Sequence, residues 1–228
     1  MRINTNVSSL TAQESNTQIN TNLRNSLEKL SSGLRINKAS DDASGLAIAD
    51  KLRTQASSIG QSVANGNSAV SLLQIADKAM SEQSNILDII KQKLIQASTA
   101  TTSQEGRTAI AKDINKLLTQ LDSIAVQTNY NGIQLLQESG TGTGAAASLV
   151  FQMGEKNTNT ITLAGGARAN TSGLTGMSDL LNGTSAGVAS AFDATTARNA
   201  LVNVDSAINQ LNTWRSDFGS TQNQIESA

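Results

Sequence analysis

The chain of 228 residues has no histidine, no cysteine and no proline, and its aromatic residues are three Phe, one Tyr and one Trp. Without His and Cys there is no zinc or copper site of the usual kinds, no thiol nucleophile, no His-dependent triad, no iron–sulfur cluster and no disulfide. Most common enzyme classes fall with those residues, and no cofactor is expected. The lack of Cys fixes no redox compartment, because secreted and cytosolic proteins both do without disulfides. Charge is scarce too: 15% of residues are charged and the net charge is −1. That balance lacks the basic excess that drives phosphate binding, so nucleic acid is not an expected partner. No window approaches the roughly 18 consecutive apolar residues of a membrane span, and no membrane partner is expected. The start, MRINTNVSSLTAQESNTQ, has a lone Arg and no apolar h-region, so it does not read as a cleavable signal peptide.

The missing proline is the informative absence, since an average usage of about 5% would give roughly eleven in a chain this long. Inside a helix each would remove a backbone donor and cost about 3 kcal/mol. A proline-free chain is therefore free to form long, unkinked helices. The apolar residues are spaced accordingly. Ile19, Leu23, Leu27, Leu30 and Leu34 lie three or four apart, on one helical face. A weaker set, Ile3, Val7 and Leu10, extends the rhythm backwards, giving one amphipathic N-terminal helix over 1–34. The pattern breaks at 35–44, RINKASDDAS, where Asn, Asp and Ser compete for backbone hydrogen bonds and are suited to capping the next helix.

A second stripe runs from Leu46 to Ala97 through Leu52, Ile59, Val63, Gly66, Val70, Leu73, Leu87, Ile90 and Leu94. At 1.5 Å per residue, about fifty residues make a helix on the order of 75 Å long. Its seam calls for partners of similar length, as in a coiled coil or extended bundle. After a polar turn at 98–106, Ile110, Ile114, Leu117, Leu121 and Ile124 form another helix, expected antiparallel to the long one. A last stripe, Leu201, Val204, Ile208, Leu211, Trp214, Phe218 and Ile225, makes a returning helix that stops in mid-pattern and reads as cut. Asn131-Gly132 marks a turn. SLVFQM at 148–153 and TNTITL at 158–163 flank a polar tip and form a small hairpin, which must rest on the helices to be stable.

The expected fold is therefore mainly α, an elongated antiparallel helical bundle or coiled-coil rod with a small β-hairpin. Its parts are a terminal helix at 1–34, a connector at 35–44 and a rod at 45–163. A short outer insert follows at 164–195, poor in large apolar groups, and then the returning helix at 196–228. The rod core is expected at Leu52, Ile59, Val63, Val70, Leu73, Leu87, Ile90, Leu94, Ile114, Leu117, Leu121, Leu201, Val204, Ile208 and Leu211. The N-terminal stripe has no apolar helix left to cover it. Each large aliphatic buried contributes about 1.5–3 kcal/mol, so an intermolecular partner or a missing segment is expected there, and residues 1–34 are expected to be mobile in a monomer.

Other motifs carry little. Asp41 and Asp42 are adjacent, so their side chains diverge, and they read as capping residues rather than as an acid–base pair. Gly140, Gly142 and Gly144 lack the Lys-Ser/Thr of a phosphate loop and read as a linker within 139–147. Asn6-Val7-Ser8 and Asn182-Gly183-Thr184 match the glycosylation pattern, which arises by chance in a chain this rich in Asn, Ser and Thr.

The runs SSLTAQ, LEKLSSGLRINKASDDASGLAIADKLR at 27–53, NGNSAVSLLQIADKAM at 65–80, NYNGIQLL at 129–136 and VDSAIN resemble bacterial flagellins closely. The similarity covers residues 1 to about 163 and about 195 to 228. It implies a terminal domain that lines a filament channel, with the polymerisation interface at Ile3, Val7, Leu10, Ile19, Leu23, Leu27, Leu30 and Leu34. It also implies a spoke that includes Arg35, Asn37, Asp41 and Asp42. Flagellins end with a further apolar helix paired with the first. That helix is not in this sequence, and with it would go most of the site for the export chaperone. A second departure concerns the motif that vertebrate innate immune receptors read: Ile89 and Lys93 stand in place of its arginine and leucine, and Asp113 in place of a glutamate. The departures argue against high-affinity receptor recognition.

The resemblance implies an extracellular structural subunit, exported and self-polymerising into the flagellar filament. Its partners would be itself, hook–filament junction and cap proteins, the flagellar export apparatus and the chaperone. A junction adaptor of the same family is the alternative. An enzyme carried on a filament would need chemistry in the insert, where Asp179 and Asp193 are the only carboxylates.

Overall fold

The computed structural model describes residues 6–137, 146–165, 167–185 and 192–228. Ile3 and the glycine run with Gly140, Gly142 and Gly144 lie outside the described residues. The chain divides into two compact units, Met1–Ser58 and Ile59–Ala228, the division falling within a helix rather than at the connector.

The first unit holds α1 (Val7–Ser32) and the start of α2 (Ala43–Ser98). The side chain of Asn6 caps α1 by accepting from the Ser9 amide at 3.3 Å. Gly33 ends it at φ 69°, a left-handed conformation that suits a residue without Cβ. Asp42 opens α2: its Oδ1 accepts from the Gly45 amide at 2.9 Å and its carbonyl from Leu46 at 3.1 Å. With no proline to interrupt it, α2 runs for 56 residues.

The second unit contains the rest of α2, α3 (Gln104–Gln127), β1 (Asn129–Tyr130), β2 (Ile133–Gln134), β3 (Leu149–Gln152), β4 (Thr160–Leu163), α4 (Met177–Thr184) and α5 (Ala194–Glu226). Ser103 caps α3 by accepting from Gly106 at 3.2 Å, so 104–106, expected as turn, is already helix. Asp193 caps α5 by accepting from Thr196 at 2.7 Å. Both α3 and α5 run antiparallel to α2. On the α3 side, Arg107 Nε donates to Ala97 O at 3.0 Å, Lys93 meets Asp113 at 3.0 Å and Gln83 donates to Leu121 O at 3.2 Å. On the α5 side, Arg198 donates to Ser98 O at 3.2 Å and Arg215 meets Asp77 at 2.9 Å.

Leu73, Leu87, Ile90 and Leu94 of α2, Ile114 and Leu121 of α3, and Val204 and Leu211 of α5 fill the core. Val70, Leu117, Leu201 and Ile208 are half-buried against it. On α3 it is Leu118, not Leu117, that is fully enclosed. Leu52, Ile59 and Val63, expected in the core, are 59%, 57% and 58% exposed. The reason is geometric. On α2 the first buried residue is Ser62, and Ile225, near the end of α5, faces Gly66. Leu52 precedes that first buried residue, and Ile59 and Val63 lie on the open wall of a groove that Met153 and Ile225 also line.

The β3–β4 hairpin pairs Leu149 with Leu163 through to Gln152 with Thr160. It buries Ile161 and Leu163 and rests on α5, and Asn65 of α2 donates to Gln152 O at 3.3 Å. A second hairpin, β1–β2, turns through Asn131 at φ 51° and Gly132 at φ 81°. The segment expected as an outer insert is instead packed inward: Ala167, Ala169, Leu174, Met177, Leu180 and Phe192 are all buried. Its polar groups are also held. Gln83, fully buried on α2, donates to Ala169 O at 2.6 Å, and Asp122 of α3 accepts from Thr171 N and Oγ1 at 2.7 and 2.8 Å. In the sequence the buried apolar residues of this segment are scattered among Gly, Ser and Thr, so no periodic apolar stripe marks them.

Candidate assembly surface

Helix α1 buries none of its residues. Val7, Leu10, Ile19, Leu23, Leu27, Leu30 and Leu34 are between 54% and 80% exposed. The helix is continuous from Val7 to Ser32, which corrects the expected phase. Nine residues separate Leu10 from Ile19, and at 3.6 residues per turn that is half a turn out of register. Val7 and Leu10 therefore lie on the side opposite Ile19, Leu23, Leu27 and Leu30, and α1 offers two apolar faces rather than one. Three of its threonines satisfy themselves: Thr11, Thr17 and Thr21 donate to carbonyls four residues back at 2.9–3.0 Å. The hydroxyls so engaged offer little to a partner, and the aliphatic faces offer most. Ile48, 60% exposed beside Leu52 on α2, was missed in the sequence although it keeps the same i, i+4 spacing.

The connector between α1 and α2 is ordered by polar contacts. Asp41 Oδ2 accepts from the amides of Asn37 and Lys38 at 3.2 Å, and its other oxygen meets Lys29 Nζ at 3.2 Å. These bonds, the Asn37 amide foremost, hold the Asp41 carboxyl below the usual carboxylate range. Asn37 Nδ2 reaches back to Glu28 O at 3.2 Å and Ser32 Oγ at 2.7 Å. Lys38 meets Glu28 at 2.6 Å, and that hydrogen bond raises the pKa of the lysine. Asp42 is lowered chiefly by the Gly45 amide, with a smaller contribution from Arg35, whose own side chain is exposed. The four residues expected in the spoke thus have separate tasks: Asn37 and Asp41 fold the connector, Asp42 caps α2, and Arg35 faces solvent.

In the second unit Ile59 and Val63 border a groove of about 540 Å³ that Val70, Met153 and Ile225 also line. On the outer side of the bundle Ile89 is 42% exposed, and Lys93 and Asp113 are joined as an ion pair between α2 and α3. That bond, first among its causes, keeps the Asp113 carboxyl below its ordinary range. The three positions therefore form one solvent-facing patch in which the lysine and aspartate are already engaged with each other.

Among the described residues there is no group of His, Cys, Asp and Glu able to hold a metal ion, and no described helix is long and apolar enough to cross a membrane. The second unit is thus a helical bundle with two hairpins, and the first carries a helix that buries none of its residues and has two apolar faces.

The relationships to known proteins are specific. Residues 3–141 match the family model of the bacterial flagellin N-terminal helical region. The chain is 48% identical over 160 residues to flagellin B of Helicobacter pylori, a stretch that is 70% of this chain and 30% of that protein. It is 32% identical over 232 residues to the flagellar filament 33 kDa core protein of Treponema phagedenis, covering 99% of this chain and 79% of that one. The crystal structure of Bacillus cereus flagellin superposes with a TM-score of 0.57 at 27% identity, over 71% of this chain and 84% of that one. The chain belongs to the bacterial flagellin family. It spans about 30% of the length of the Helicobacter flagellin that it matches.

Proposed function

We propose that this chain is a subunit of the extracellular bacterial flagellar filament, polymerising with copies of itself to serve motility. The observation that carries the reading is that α1 buries no residue while presenting aliphatic side chains on two sides. A single partner helix would cover one side; neighbours on both sides, as in an open helical array of repeated heterologous contacts, cover both. Burial of Ile19, Leu23, Leu27 and Leu30 in such an array would contribute about 1.5–3 kcal/mol each.

Family membership supports proposing further partners: the export apparatus and its chaperone, the junction proteins at the hook and the cap at the tip. The absence of Cys and Pro suits export in an unfolded state, since neither crosslinks nor slow prolyl isomerisation delays refolding. The Lys93–Asp113 pair and Ile89 present a different chemistry from the receptor-read motif, so weak activation of the innate receptor is expected in a reporter assay. Full potency there would remove that part of the reading.

The test of the main proposal is seeded polymerisation of the purified protein, followed by sedimentation. Leu23→Glu with Leu27→Glu should abolish incorporation and leave the unfolding temperature of the bundle unchanged. Incorporation of the double variant at the rate of the unaltered protein would refute the assembly role of α1.

A further inference from the structure

Three Asn-Gly pairs occur in the chain: Asn65-Gly66, Asn131-Gly132 and Asn182-Gly183. Such pairs are chemically labile where the backbone is free, because the glycine amide nitrogen is able to approach the asparagine side-chain carbonyl without a Cβ in the way. The fold treats the three differently. Asn65 lies inside α2, with its Oδ1 accepting from Gln61 at 3.0 Å and its Nδ2 donating to Gln152 O at 3.3 Å. Asn182 and Gly183 lie inside α4. Helical backbone angles hold the following amide nitrogen away from the side-chain carbonyl carbon and engage it with a carbonyl four residues back.

Asn131 and Gly132 form the loop of the β1–β2 hairpin, and both are exposed. Both have positive φ, 51° and 81°. Neither the Asn131 side chain nor the Gly132 amide has a hydrogen-bond partner among the described residues. A Cβ built on Gly132 would meet nothing within 4 Å, so water has open access.

We propose that Asn131 is a site of spontaneous deamidation, with Gly132 as the internal nucleophile. The Gly132 nitrogen bonds to Asn131 Cγ and the Cγ–Nδ2 bond breaks. The proton from the Gly132 nitrogen leaves with the side-chain amine as ammonia, and a succinimide remains. Water then opens the ring at either carbonyl, to give aspartate or isoaspartate, and no electrons are exchanged. Aspartate adds a negative charge to the turn. Isoaspartate adds a carbon to the main chain of a two-residue loop and so disturbs the pairing of Tyr130 with Ile133. Tyr130 and Ile133 line a groove of about 350 Å³ together with Leu72, Val150 and Phe151. The modification thus alters one face of the bundle as each copy ages.

The experiment is prolonged incubation of the folded, full chain in neutral buffer. Peptide mapping by mass spectrometry follows the exchange of NH for O, and enzymatic methylation detects isoaspartate. Asn131 should convert about tenfold or more faster than Asn65 and Asn182, a difference of roughly 1.4 kcal/mol in barrier. In concentrated urea the three rates should converge. If Asn131 converts no faster than the two helical pairs in the folded chain, or keeps the same lead in urea, the proposal is overturned.

Discussion

Met153 occupies the space that a side chain at Gly66 would need: a Cβ built on the glycine would lie 2.9 Å from Met153 Cε and 3.8 Å from Ile225 Cγ2. The residue that follows β3 is thereby seated on α2 beside the last turn of α5. Alanine at 66 would gain up to about 1 kcal/mol of helix propensity, but it would have to push the methionine methyl aside. The two effects should nearly cancel in Gly66→Ala. Gly66→Leu has no room for its extra atoms and should destabilise by about 1–3 kcal/mol, as overpacking generally does. Gly219 on α5 is the control, with nothing within 4 Å of a built Cβ. Gly219→Ala should stabilise by about 0.5–1 kcal/mol. Thermal unfolding of the three variants checks the ordering, and equal gains at 66 and 219 would show that Met153 does not fill the notch.

A second prediction concerns Gln83, which is fully buried. Its amide donates to Leu121 O at 3.2 Å and to Ala169 O at 2.6 Å, so one side chain joins α2, α3 and the 167–171 segment. Gln83→Ala removes both hydrogen bonds and opens a cavity. Either effect alone costs a few kcal/mol, and the sum should be about 3–5 kcal/mol. Gln83→Met fills the space and should recover part of it. The measurement is urea unfolding combined with amide exchange at Ala169, whose own N–H donates to Leu136 O at 2.9 Å. Loss of protection at Ala169 with little change at Val204 is the expected pattern. Uniform loss across the bundle would mean that Gln83 is ordinary core rather than a local clamp.

The main helices were legible because their stripes use Leu, Ile and Val, and three- and four-residue steps in those residues have one reading. Leu87, Ile90 and Leu94 on α2 and Val204 and Leu211 on α5 are cases in point, all of them fully buried. The inward packing of 167–184 was not legible, because Ala167 and Ala169 carry no hydrophobic signal and Leu174, Met177 and Leu180 sit in a stretch dominated by Gly, Ser and Thr. The β1–β2 hairpin showed only as its Asn-Gly turn, since strands of two residues are too short to alternate. On the candidate surface the aliphatic residues of α1 were visible but their phase was not. Composition locates an apolar stripe, and only a continuous helix from Val7 to Ser32 fixes which side each residue faces. Leu52, Ile59 and Val63 show the complementary limit: a stripe records that a face is apolar, not which chain covers it.

Acid should loosen the connector and the helix starts before it unfolds the bundle. Asp42 and Asp193 accept amide hydrogen bonds at the starts of α2 and α5, and those bonds are the leading cause of their lowered pKa values. Asp41 is lowered in the same direction by the Asn37 amide. A carboxyl whose folded pKa lies below its ordinary value contributes stability that is fully present above that value, and the contribution is lost as pH falls through the depressed one. The window therefore opens near the ordinary carboxylate value of 3.8 and extends downward. Amide chemical shifts of Asn37, Gly45 and Thr196 in an acid titration should move together below that value, while those of Leu87 and Leu118 stay fixed. Asp41→Asn should remove the movement at Asn37 and leave Gly45 responsive. A Gly45 shift that tracks Asp41 instead would contradict the separate roles assigned to the two aspartates.

The last prediction concerns α1 in a dilute solution of the protein. A helix of 26 residues without tertiary burial is only marginally stable in water, because most helical stability in proteins comes from packing of an apolar face. The connector bonds from Asn37 and Lys38 to Glu28 and Ser32 hold its last turn, but they bury no aliphatic group. Amides of Leu23 and Leu27 should therefore exchange at least about a hundredfold faster than those of Leu118 and Val204, a gap of roughly 2.7 kcal/mol in opening free energy. On assembly the same amides should become protected, because the faces that carry Ile19, Leu23, Leu27 and Leu30 then lie against neighbouring copies. Salt separates this from an electrostatic association: apolar burial is kept or strengthened at high ionic strength, whereas surface ion pairs such as Lys38 with Glu28 weaken. Core-like protection of Leu23 and Leu27 in the dilute monomer would mean that α1 already has its cover, and the need for neighbouring copies would disappear.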